Sequence, residues 1–312
     1  MNVRITMGTL ARDAFAGVRR AQSNLLVSQE QIVTGRRINR PSDAPLDLAQ
    51  AQRLRSDQSK IEQYQRNLSQ ATSELDYTAS TVQELSDLFV QARELCLRGA
   101  NSTADDSERQ SLAISADQLL DSLIRRANTT FNGHFLFAGT ANDTQPFEGV
   151  EGASGYVESV AYLGNDGRIE LQVGPRARVQ TNEPGSAVFT ATPTQPSVFD
   201  ALIRLRDLLL NADGLSDNAL SKALSEHVGE VQQAHERIVD AASRLGWRAS
   251  QLEFTRTTLE NVGLANTEVL SSLEDADIAT AAVRLQAQEV ALQAALAIAA
   301  RTLQSSILEY LE

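Results

Sequence analysis

The chain carries the same seven-residue apolar repeat in two arms far apart in sequence, with a Gly- and Pro-rich stretch between them. In the first arm Leu54, Ile61, Leu68, Leu75, Val82 and Phe89 fall seven apart, and Tyr64, Ala71, Leu85 and Ala92 fill a companion row. In the second, Leu224, Val231, Ile238, Leu245, Leu252 and Leu259 keep the same period beside Ala234, Ala241, Ala249 and Val262. Two long helices of equal period and similar length are natural partners. The expected fold is therefore mainly α: an elongated antiparallel helical-bundle or coiled-coil rod with a small β-rich insert.

The extreme ends repeat the theme more weakly, through Val18, Leu25 and Ile32 at one end and Ile278, Leu285, Leu292, Leu296 and Leu303 at the other. Ten Ala lie between 279 and 300, so the last helix can approach neighbours closely on more than one side. Apolar residues on several sides of a terminal helix cannot all be buried in a thin rod, so subunit association is expected to cover them, with the ends disordered in the isolated chain.

Punctuation residues divide the chain. Gly35 stops a first helix, and Pro41 and Pro45 bracket a turn in which Ser42 or Asp43 is expected to cap the helix from about 46 to 98. Leu112, Ala116, Leu119, Leu123 and Ala127 mark one face of a returning helix whose acid-rich start lies at Thr103 to Glu108. The segment 131–196 holds nine of the 17 Gly, five of the seven Pro and five of the nine Phe, and a hairpin is expected at Gly164-Asn165-Asp166-Gly167. Helix resumes near Ser197, breaks at Asp213-Gly214 and continues from 216 to 266. Ser271 and Glu274 then have the spacing of a capping box for a final helix. The segments are 1–45 and 271–312 as axial assembly ends, 46–130 and 197–270 as rod arms, and 131–196 as the insert.

Chemistry is sparse. Net charge is -12, and the basic residues are nearly all Arg, mixed with acids along the helices, so no phosphate footprint for nucleic acid is evident. Cys96, the single cysteine, continues the Val82 and Phe89 row as a small apolar residue. His227 and His235 stand eight apart on one helix, too far for a metal pair on adjacent turns, and His134 sits beside Gly133 in a structural turn. The acids at 105–108 and 274–277 belong to helix starts. No nucleophile elbow or phosphate loop occurs, and nothing calls for a metal or a cofactor. The N-terminus lacks the form of a cleaved signal, and the longest uncharged run, Val290 to Ala300, is too short for a membrane span.

Three segments carry a resemblance: GRRINRPSDAP at 35–45, FNGHFLFAGT at 131–140, and LEDADIATAAVRLQAQEVALQAALAIAARTLQSSILEYLE at 273–312. Together they resemble the flagellin superfamily over essentially the whole helical frame. The Pro41-Ser42-Asp43 run and the Phe135-Leu136-Phe137-Ala138-Gly139 run are closer to its hook-filament junction members than to its filament subunits. One departure is Ala44, where the family commonly has a second Asp. The resemblance implies a structural, non-enzymatic protein of the bacterial flagellum, forming a ring with itself between the hook-associated protein FlgK and flagellin. It also implies unfolded type III export without signal cleavage, aided by a chaperone. Its assembly residues would include the turn Arg37, Ile38, Asn39, Pro41, Ser42, Asp43 and Pro45. The alternatives are a flagellin that builds the filament itself and a cytoplasmic coiled-coil scaffold or signalling protein.

Overall fold

A computed structural model describes residues 7–101, 106–153, 155–190, 197–210 and 217–311, excluding the side chains of 7, 8, 10, 11, 217 and 303–311. The expected starts and breaks at 102–105 and 211–216 lie outside the described residues. In chain order the helices are α1 (Met7–Thr34), α2 (Pro45–Gly99), α3 (Asp106–Ala127), α4 (Gly185–Val188), α5 (Val198–Leu210), α6 (Asp217–Glu274) and α7 (Ile278–Leu311). Between α3 and α4 lie β1 (Thr130–Phe131), β2 (His134–Phe135), β3 (Phe147–Glu151), β4 (Val157–Tyr162), β5 (Glu170–Gln172) and β6 (Arg178–Gln180). The fold is mainly α with a small β insert. Contacts divide it into two compact units, one of residues 1–61 and 260–312, the other of 62–259.

Within the second unit the heptad rows do what their spacing requires. Leu75, Val82 and Phe89 of α2 are buried with Leu224, Val231, Ile238 and Leu245 of α6 in one core, and Leu68 of the same row is buried as well. The pairing is antiparallel: the Ser86 hydroxyl meets the His235 ring at 2.8 Å, while Ser221, earlier in α6, donates to the Ala100 carbonyl just beyond α2. Cys96 is buried in the same row. The predicted face of α3 is buried throughout. Helix α5 begins on a capping box, because the Ser197 hydroxyl accepts from the Phe199 and Asp200 amides while Asp200 accepts from the Ser197 amide.

The insert consists of three two-stranded antiparallel ribbons, β1-β2, β3-β4 and β5-β6. Its apolar centre is aromatic, with Phe147 within 5.1 Å, centroid to centroid, of Tyr162, Phe189 and Phe199. Arg206 of α5, only 1% exposed, is satisfied by Asp117, Asp207 and the Val157 carbonyl, with the Tyr156 ring beneath it. One guanidinium thus joins α3, α5 and β4.

The expected hairpin at 164–167 is not present, since β4 pairs back to β3 and β5 pairs forward to β6. The Asn165 carboxamide is used elsewhere. Its oxygen accepts from the Thr140 amide and hydroxyl and from the Gly167 amide, tying this turn to the chain after β2. The approach is so close that a Cβ on Gly139 (φ +71°) would lie 2.0 Å from the Asn165 carbonyl oxygen. The tight hairpin sits instead at Asn132-Gly133, where both residues have positive φ, as a two-residue turn between β1 and β2 requires.

Two caps also differ from expectation. Asp43 points backwards and accepts from the Asn39 and Arg40 amides at 3.2 and 2.8 Å, and Ala44 directly precedes the first helical residue, Pro45. Ser271 and Glu274 do not start the last helix, because α6 runs on through Glu274, whose carboxylate is taken by Arg55.

Candidate assembly site

The first unit contains α1, α7 and the adjoining ends of α2 and α6. Its two connectors, 35–44 and 275–277, are hydrogen-bonded to each other. Gly35, with φ +68° and no Cβ to oppose it, ends α1 and turns the chain. The Arg37 amide then donates to the Glu274 carbonyl at 2.6 Å and the Ala276 amide to the Gly35 carbonyl at 2.9 Å, enclosing an antiparallel bridge between Arg36 and Asp275.

Charge reinforces this clasp. A helix C-terminus presents unpaired carbonyls with partial negative charge. The Arg37 guanidinium donates to one of them, that of Leu273, through Nε at 3.2 Å and Nη2 at 2.6 Å, and also reaches Asp47 in the first turn of α2 at 2.8 Å. Across the same joint Arg55 of α2 meets Glu274 at 2.5 Å, with the carboxylate side chain 7% exposed. Ile38 is buried, Gln31 donates to the Arg37 carbonyl, and Asn39 donates to that of Arg36. Pro41, Ser42 and Pro45 lie on the exposed outer bend.

Helix α7 starts from Asp277, whose carboxylate accepts the Thr280 hydroxyl at 2.7 Å and the Ala279 and Thr280 amides at 3.0 and 3.3 Å. The hydroxyl bond, followed by the amide bonds, holds its pKa below the usual carboxylate range. The signal was in the sequence as an Asp followed three residues later by Thr, one step past the pair read as a capping box.

Helices α1 and α7 approach until Cα atoms of the two come within 8 Å. Small side chains permit this. On α1 the inward row is Ala14, Val18, Ala21, Leu25, Ser28 and Ile32, and on α7 it is Ala281, Leu285, Gln288, Leu292, Ala295 and Ala299, all buried or half-buried. Of the seam residues expected from sequence, Val18, Leu25, Ile32, Leu285 and Leu292 lie on this inner seam. Ile278 and Leu296 are exposed, and the Leu303 side chain lies outside the described residues.

A second apolar row, missed by the sequence reading, runs along the outside of α7. Val283, Ala287, Val290, Ala294 and Ala297 advance by alternating steps of four and three, the heptad rule again, and Val283 and Val290 are 69% and 61% exposed. Helix α1 carries a counterpart in Phe15, Leu26 and Val33, the last 85% exposed. Among the described residues no group of His, Cys, Asp and Glu could hold a metal ion, and no helix is long and apolar enough to cross a membrane.

The helical frame and its ends match known sequence families. The model of the bacterial flagellin N-terminal helical region matches residues 6–142, and that of the bacterial flagellin C-terminal helical region matches residues 228–311. This chain belongs to the flagellin superfamily. The flagellar hook-associated protein 3 of Escherichia coli K12 is 25% identical over 294 residues, covering 89% of this chain and 90% of that protein. The protein of the same name from Salmonella typhimurium LT2 is 23% identical over 311 residues, 94% of each chain. The crystal structure of the flagellar junction protein FlgL from Legionella pneumophila aligns with TM-score 0.61 at 17% identity, covering 72% of this chain and all of that one, so the fold is shared. These relatives are flagellar proteins.

Proposed function

We propose that this flagellin-superfamily chain is the structural junction between hook and filament in a bacterial flagellum. Copies form a ring seated between the hook-associated protein FlgK and flagellin, and the chain reaches that place by type III export with a dedicated chaperone. The observation that carries the assembly role is the exposed heptad row Val283, Ala287, Val290, Ala294 and Ala297 on the α1–α7 pair. Helices that satisfy one seam within the chain and display a second apolar seam have a surface that neighbouring subunits can bury. The clasp at Arg37 and Glu274 keeps both ends of the chain in register for that contact. No chemical step is required, because packed helices transmit load through their contacts.

Deletion of the gene, with electron microscopy of the cell surface and an assay of the medium for flagellin, tests the reading. Bare hooks with flagellin spilled outside are the expected result. Bare hooks with no flagellin anywhere would make the chain the filament subunit, and normal filaments would remove it from the flagellum.

A further inference from the structure

Outside the helical frame, the second unit contains a cavity of about 240 Å³ between α2 and the β1-β2 hairpin, walled by Phe131, Phe135, Asn132, Asn142, His134 and Glu74. Glu74 is half-buried and has no cationic side chain in salt-bridge distance among the described residues. Burial pushes its pKa up, while the Thr181 hydroxyl and then His134 act the other way. Thr181 is fully buried, and apart from its approach to the Glu74 carboxylate its hydroxyl has no hydrogen-bond partner among the described residues. The exposed Asn132 and half-buried Asn142 present their carboxamides to the same space. On the hairpin side of the cavity the exposed His134 ring meets Asp143 at 3.0 Å.

A half-buried carboxylate, two phenyl rings and two carboxamides around one space make a complementary set. A planar cation stacks on phenyl faces, pairs with the carboxylate and uses its remaining N–H groups on the amides. Guanidinium fits all three requirements, whereas an ammonium group lacks the plane to stack. We propose that this cavity is a recognition site for the guanidinium group of an arginine side chain presented by a second protein chain.

The test follows the His134 imidazole resonances of the full chain by NMR while N-acetyl-arginine methylamide is added, with the neutral citrulline analogue as control. The expected result is a saturable shift with the arginine probe, none with citrulline, and at least tenfold weaker binding in Glu74→Gln. Asn142→Ala, which leaves the hairpin backbone intact, should weaken binding less. A non-saturating response, an equal response to citrulline, or Glu74→Gln binding as well as wild type would overturn the proposal. The source of the arginine is read in the same spectra. A shift that grows with protein concentration and is displaced by the probe places it on a second copy, and one that appears only when a flagellar partner is added places it there.

Discussion

Glu74 sits where charge is costly, and its pH dependence follows from that. Its folded pKa is raised above the ordinary 4.5 by burial, so at intermediate pH the folded state binds more protons than the unfolded state. Stability from this group is therefore full below pH 4.5 and falls as pH rises through the raised value, leaving a constant deficit at neutral pH. Glu74→Gln should melt higher than wild type at pH 7, with the difference vanishing near pH 4. Thermal melts of both proteins across that range check it, and a variant less stable at pH 7 would contradict it. Cys96 gives a second residue-level expectation. Burial pushes its thiol from 9.0 to about 12, which cuts the thiolate fraction at pH 8 by about a thousandfold. The folded chain should resist a thiol reagent at pH 8 and react at once in denaturant. Rapid labelling of the folded chain would mean that the α2 row opens there.

Elements differed in how much of them was written locally. The rows from Leu68 to Phe89 and from Leu224 to Leu259 were legible because a seven-residue period with one buried side has one helical solution. The turn at 164–167 was not, because Asn165 answers to Thr140, a partner distant in sequence that no local pattern reveals. The Asn132-Gly133 turn had the local signal, but its two-residue strands are too short to show alternation. The clasp depends on Arg55 finding Glu274 across 219 residues. The outer row of α7 was hidden by its own composition, since a run of Ala and Val offers several faces and only the course of α1 selects one. That row can be tested by itself. Val283→Asp with Val290→Asp alters two largely exposed positions, so the stability of the isolated chain should change by no more than about 1 kcal/mol in total. Assembly should fail, because a carboxylate buried against a neighbouring helix has no partner. Loss of motility with an unchanged melting curve is the expected pair of results, and full motility would exclude the row as an interface.

At the scale of the whole molecule the two units are held by different amounts of buried surface. The second unit closes around Phe89, Phe137, Phe147, Phe189 and Phe199, all nearly or fully inaccessible to solvent. The α1–α7 pair buries mainly Ala, Ser and partly covered Leu, and turns Phe15, Val33, Val283 and Val290 to solvent. Fixing a helical backbone costs roughly 1 to 2 kcal/mol per residue. A fully buried large apolar side chain returns about 1.5 to 3 kcal/mol, and an Ala returns much less. The pair therefore relies on its inner seam and the clasp until a neighbour covers the outer rows. In dilute single chains, amides of α1 and α7 should exchange at least a hundredfold faster than those of α3 and α5, equivalent to local opening about 2.7 kcal/mol easier. In the assembled flagellum the same amides should be protected. Hydrogen exchange read by mass spectrometry on both preparations decides the matter. Equal protection of α1 and α5 in the dilute chain would mean that the inner seam suffices by itself, and the outer row would then need another reason to be apolar.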